Sequence, residues 1–188
     1  SSMSSPDGNS PRIDIVSFSS NEWRIIQALH DVQEALSALT FFMDIPERLG
    51  EIERRRFRCY HDIMAVSYWR PFSKSDGLPK LSWAMAGVKP TGGEKALHDR
   101  LGAYRNKLAA HTDLGRMRMK VKAHVRDERE QDYPRWPLIA KDDGFEFLDD
   151  QRALEAWFWK LRGAMQEKVF ALVQSIPANQ SVEIDYLS

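Results

Sequence analysis

At 188 residues and 43% hydrophobic content the chain suits one compact domain with a real core, which excludes a disordered protein. Lys plus Arg number 27 and Asp plus Glu number 27, so a protein coated in positive charge for nucleic acid is excluded, though a local basic patch is not. The one cysteine, Cys59, can form neither an intramolecular disulfide nor a multi-cysteine zinc site, which fits a reducing, cytoplasmic setting. No apolar run approaches the length of a membrane span, and no membrane partner is expected.

In chain order, residues 1–18 read as a Ser-, Pro- and Gly-rich disordered tail without a basic-then-apolar signal pattern. Residues 19–188 read as a single domain. A first helix opens at Ser19 or Ser20, because Ser19 and Glu22 have capping-box spacing and Trp23, Ile26, Leu29, Ala35, Leu36 and Leu39 recur at helical intervals. A second helix is expected from near Asp44, with Pro46 and Glu47 in its first turn and Leu49, Ile52, Cys59, Ile63 and Val66 as its apolar positions, stopping before Pro71. Residues 71–80 read as a loop and 81–88 as one short helix. Thr91, Gly92 and Gly93 mark a break. A third main helix then runs from about Glu94 to Asp113, with the stripe Leu97, Leu101, Tyr104 and Leu108 and with Gly115 as its stop. The fourth starts at Asp149 or Asp150 and ends before Pro177, on Leu154, Phe158, Leu161, Met165, Val169 and Leu172.

Between the third and fourth helices the hydrophobic period changes from 3.6 to 2. Met117, Met119, Val121, Ala123 and Val125 alternate with Arg116, Arg118, Lys120, Lys122, His124 and Arg126, a strand with one apolar and one basic face. Asp142, Asp143 and Gly144 then form a turn. The fold class is therefore mainly α, a bundle of four main helices with a small β insertion at about 116–147, before the last helix.

The segment Tyr104-Arg105-Asn106-Lys107-Leu108-Ala109-Ala110-His111 carries the chemistry. It resembles the defining motif of the HEPN superfamily, in which an Arg is followed by a polar residue and, a few residues later, by a His. The wording around it is similar to members tied to abortive infection and toxin–antitoxin loci. The match in sequence covers about one helix, and the rest is agreement in architecture. The resemblance implies a HEPN-like bundle and a homodimer with paired motifs lining a shared cleft. It also implies an endoribonuclease, a toxin or defence effector with an antitoxin protein as partner. Some HEPN toxins carry a Tyr two residues after the motif His that a partner nucleotidyltransferase modifies; here Asp113 stands there.

The residue types suit that chemistry. Attack by the 2′-hydroxyl of RNA needs proton transfer near neutral pH, which His111 can supply. The phosphate gains charge in the transition state, which the guanidinium of Arg105 can meet, with Asn106 as orienting neighbour. Neither role needs a cofactor, and the sequence offers no metal-ligand cluster. Six residues at roughly 100° each set Arg105 about 120° around the helix from His111, so one regular helix does not aim both at one phosphate. Fraying at His111 or pairing of two copies across a two-fold axis would resolve this.

The basic strand face at Arg116, Arg118, Lys120, Lys122, His124 and Arg126 follows the motif directly and can track an RNA backbone, or else protect a strand edge. Arg54, Arg55, Arg56 and Arg58 form a second basic run, expected to be a solvated face balanced by Glu51 and Glu53. His30 and His61 are expected to sit singly in or beside the bundle. His98 shares the Arg105 face, with a plain surface role ahead of a part in the cleft. Trp157 and Trp159 read as core and interface mass. A non-catalytic HEPN-like module that binds RNA or protein is the alternative function. A helical interaction protein with no nucleic-acid role is a third.

Overall fold

A computed structural model describes residues 17–109, 119–124, 136–141 and 144–183. The chain is a mainly α-helical bundle with a small β insertion before its last helix. Its elements are α1 (Ser20–Met43), α2 (Glu51–Trp69), a 3₁₀ turn (Arg70–Phe72), α3 (Trp83–Ala86), α4 (Gly92–Ala109), β1 (Met119–His124), β2 (Trp136–Lys141) and α5 (Gln151–Val173).

α1 begins as its sequence dictates. The Glu22 N–H donates to Ser19 Oγ (3.3 Å) and the Ser19 N–H donates to the Glu22 carboxylate (2.6 Å), closing the capping box. Phe18 packs edge-on against Trp23, with ring centroids 5.5 Å apart, as a hydrophobic staple. The folded chain therefore includes Phe18, at the end of the expected tail; residues 1–16 lie outside the described residues. Ala28, Val32, Ala35, Leu39 and Phe42 of α1 are fully buried, and α1 packs on both α2 and α5. From α5, Leu154, Trp157, Phe158, Leu161 and Met165 fill the same core. Arg24 is also buried; its guanidinium donates to Gln27, Ser75 and the carbonyls of Leu78 and Pro79, which ties the loop after α2 to α1.

Two expectations for α2 are corrected. It begins at Glu51, not near Asp44; Asp44 instead caps the C-terminus of α1. The continuation of the α1 stripe to Phe42, packed against His61 and Phe145, holds that last turn in helix. The buried face of α2 is Phe57, His61, Met64, Ala65, Ser67 and Tyr68, whereas Ile52 is 72% exposed, Ile63 is 45% exposed and Cys59 is exposed. The large rings at 57, 61 and 68 recur at helical spacing and bury more surface than the scattered aliphatics on the other side.

α4 starts at Gly92, two residues before the expected position, because Thr91 is its cap. The Glu94 N–H donates to Thr91 Oγ1 (3.3 Å) and the Thr91 N–H to the Glu94 carboxylate (2.7 Å). Its stripe is as expected, with Leu97, Leu101 and Tyr104 buried and Leu108 half-buried. At Gly102 a Cβ would stand 2.5–2.8 Å from three ring atoms of Trp69, so the glycine lets α2 and α4 approach. The expected stop at Gly115 lies outside the described residues.

β1 and β2 form an antiparallel pair in which Val121 faces Ile139 and Lys122 faces Leu138. At the described positions of the expected apolar face of β1, Val121 is 68% exposed and Ala123 is exposed, and Ile139 opposite Val121 is 63% exposed. No described helix is long and apolar enough to cross a membrane.

Candidate active site

Arg105 and Asn106 stand near the end of α4. The Arg105 side chain is half-buried and its Nη1 donates to Asn106 Oδ1 at 3.3 Å, a weak bond on an exposed surface. His111 lies outside the described residues, as do Arg116, Arg118 and Arg126. Lys120 and His124 belong to β1, and Lys122 is exposed on it.

Directly behind Arg105 is a polar network. Tyr104 turns inward and its hydroxyl donates to Asp62 Oδ1 at 2.6 Å. His61, fully buried, receives the Phe147 N–H on Nε2 at 3.3 Å. Nε2 is thus the acceptor and Nδ1 carries the proton. That proton points to the Tyr104 hydroxyl at 3.0 Å, with Asp62 Oδ1 farther at 3.4 Å. The order backbone 147 → His61 → Tyr104 → Asp62 leaves every donor used. Burial pushes the Asp62 carboxyl up, but the hydrogen bonds from His61 and Tyr104 outweigh it and hold the group below the usual carboxylate range. Burial, reinforced by Asp62, raises the Tyr104 phenol, so it stays a donor. Arg58 adds a long bond to the Tyr104 hydroxyl (3.4 Å) and one to the Gly144 carbonyl (3.2 Å), and its guanidinium lies 4.6 Å from the centre of the Phe145 ring.

This network fixes both flanks of the insertion. Tyr104 is held on the α4 side. On the return side, Gly144 and Phe147 are held by Arg58 and His61, while Lys107 pairs with Glu146 at 3.3 Å and Arg100 with Asp150 at 2.8 Å. The surface next to Arg105 is therefore rigidly seated on α2 and on the start of α5. Arg105 follows Tyr104 on the helix held there, with its own guanidinium bonded only to Asn106 among the described residues.

His61 is not solitary as expected; it organises this network. The signal was its position on the α2 ring stripe between Phe57 and Tyr68, followed at once by Asp62. His98 is half-buried rather than a plain surface residue. It is packed among Trp69, Phe72 and Trp83, with ring centroids at 4.5, 4.7 and 4.7 Å. The Trp157 N–H donates to the Tyr68 hydroxyl (2.8 Å), which donates in turn to His98 Nδ1 (2.9 Å). Desolvation pushes His98 down to about 4, with Asp99 opposing and Lys95 assisting. Trp157 is core, whereas Trp159 is 51% exposed beneath the guanidinium of Arg162. Among the described residues no group of three His, Cys, Asp or Glu side chains is placed to hold a metal ion. Arg54, Arg55 and Arg56 are exposed, and among the described residues no ion pair joins them to Glu51 or Glu53, so the expected balancing pairs are not formed.

No family model, curated protein or solved structure matches this chain.

Proposed function

We propose that this chain is a metal-independent endoribonuclease of the HEPN type, acting in the cytoplasm as a homodimer and serving as a toxin or defence effector held in check by an antitoxin protein. The observation that carries the reading is the sequence motif Arg105-Asn106…His111, whose Arg105 and Asn106 stand near the end of the amphipathic helix α4 in a small helical bundle. The platform formed by Tyr104, Asp62 and His61 supports it, because it holds the Arg105 helix firmly in place. In the reaction the RNA 2′-oxygen attacks its own phosphorus, the bond to the 5′-oxygen breaks, and a 2′,3′-cyclic phosphate forms. His111 takes the 2′-hydroxyl proton and a histidinium, from the partner copy in a pooled site, protonates the leaving oxygen. Arg105 stabilises the charge on the phosphoryl oxygens.

The test is cleavage of a broad set of single-stranded and structured RNAs in excess chelator. The wild-type chain should cut at least one. His111→Ala should lose roughly a hundred- to ten-thousand-fold, and Arg105→Ala on the order of a hundredfold. Equal trace cleavage by all three proteins on every RNA would identify a contaminant and end the enzymatic reading. A non-catalytic HEPN-like module that binds RNA or protein is the second reading. The exposed Val121–Ile139 pair favours it, since it offers an apolar ridge that the chemistry does not use.

A further inference from the structure

α2 and α4 run antiparallel, and their contacts set a register. Tyr68 meets His98 at 2.9 Å, while His61 and Asp62 meet Tyr104 at 3.0 and 2.6 Å. Seven residues back along α2 thus correspond to six residues forward along α4. One further step of the same size reaches Arg54 and Arg55 on α2, and on α4 it passes Ala109, the last residue of the helix. Arg54 and Arg55 also precede Arg58 by four and three residues, so they share the α2 face that Arg58 turns toward Tyr104.

Two cations therefore stand at the level where the Arg105 helix gives way to the segment containing His111. Both are exposed, and neither makes a hydrogen bond or ion pair with a described residue. Two acids on the neighbouring α2 and pre-α5 segments are engaged elsewhere: Asp62 accepts from Tyr104, and Glu146 pairs with Lys107. Glu51, exposed three and four residues before the arginines, makes no ion pair with either of them. The Glu53 carboxylate folds back over Gly50, toward the start of α2, rather than onto the arginines. Arg54 and Arg58 are separated by about 6 Å along the helix axis, so the guanidinium groups form a row and not a point.

We propose that Arg54 and Arg55 form an RNA-phosphate-binding surface that continues the Arg105 site across the end of α2. The surface extends the basic reading of the insertion to the bundle itself: the substrate strand lies over the N-terminal half of α2 as well as along β1. The Arg54 and Arg55 guanidinium groups, which pair with no acid among the described residues, suit phosphodiester oxygens, and such groups bind the backbone without reading sequence. This inference rests on the ribonuclease reading.

The test uses the full chain carrying His111→Ala, so that RNA is bound and not cut. The probe is a fluorescein-labelled 20-nucleotide oligouridylate, and its anisotropy is followed across a range of potassium chloride concentrations. Arg54→Gln with Arg55→Gln should reduce the magnitude of the salt slope by about 1.4, from roughly 0.7 per single-strand phosphate contact. The same pair should raise Kd roughly tenfold or more at 0.1 M salt. Arg54→Lys with Arg55→Lys should restore most of the slope. Lys74→Gln with Lys80→Gln makes the same charge change in the exposed loop beyond the other end of α2, and should leave the slope as in the parent. An unchanged slope in the Arg54/Arg55 glutamine pair, or an equal fall in the Lys74/Lys80 pair, would overturn the proposed surface. If the parent cleaves RNA and only this slope result fails, the ribonuclease reading stands without the surface. If the parent binds no RNA at any salt concentration, both fall together.

Discussion

His98 makes the folded protein sensitive to acid in a way that can be calculated. Its ring is enclosed by Trp69, Phe72 and Trp83, and its Nδ1 accepts from the Tyr68 hydroxyl. Desolvation pushes its pKa from 6.5 down to about 4. In the unfolded chain the imidazole protonates near 6.5, so between these values the unfolded state binds more protons and stability falls as pH falls. Linkage with these two values gives a loss of about 2 kcal/mol between pH 7 and 5, and about 3 kcal/mol by pH 4. Protonation at Nδ1 would also reverse the Tyr68 bond, which must then accept from both His98 and Trp157. Urea denaturation of wild type and His98→Gln at a series of pH values isolates this group, since every other titration is common to both chains. The difference between the two stabilities should shrink by about 2 kcal/mol between pH 7 and 5. A constant difference across that range, or an NMR titration placing His98 near 6.5, would refute the reasoning.

Other outcomes follow from the packing around Arg105. Tyr104→Phe removes the hydroxyl between His61 and Asp62, leaving buried polar atoms short of partners; it should cost about 1–3 kcal/mol in denaturant melts. At Gly102 an alanine gains about 1 kcal/mol of helix propensity but drives a methyl into the Trp69 ring. The overpacking should dominate, for a net loss on the order of 1 kcal/mol that Trp69→Phe partly relieves. Light scattering should give a dimer mass at micromolar concentration, since a regular helix carrying both Arg105 and His111 would turn them about 120° apart; an active monomer would dismiss the pooled site.

What the sequence made legible was local. The Ser19–Glu22 box and the stripes of the third and fourth helices depend on residues three or four apart, and each appears in the structure. The start of α4 was legible too, but Thr91 was read as part of a break when it is the cap that Glu94 completes. The start of α2 was not. Pro46 and Glu47 imitate a first turn, and only the burial of Phe42 against His61 and Phe145 shows that α1 extends beyond Leu39. The buried face of α2 was missed because Ile52 and Ile63 are more apolar than His61 and Tyr68, whose polar ends find distant partners at Tyr104, Phe147, His98 and Trp157. The network behind Arg105 joins residues 42 to 86 positions apart. No periodicity encodes such a contact, whereas Arg105 and Asn106 stood out because their motif is contiguous.

The ribonuclease reading is tested most directly on a single RNA that the wild-type chain cuts, compared with the same oligonucleotide carrying one 2′-deoxy residue at the scissile position. In excess chelator the wild type should cut only the all-ribose strand and leave a 2′,3′-cyclic phosphate or its 3′-phosphate product, and His111→Ala should leave both strands intact. Cleavage of the deoxy-substituted strand at the same bond, or undiminished cleavage by His111→Ala, would contradict the Arg105/His111 mechanism.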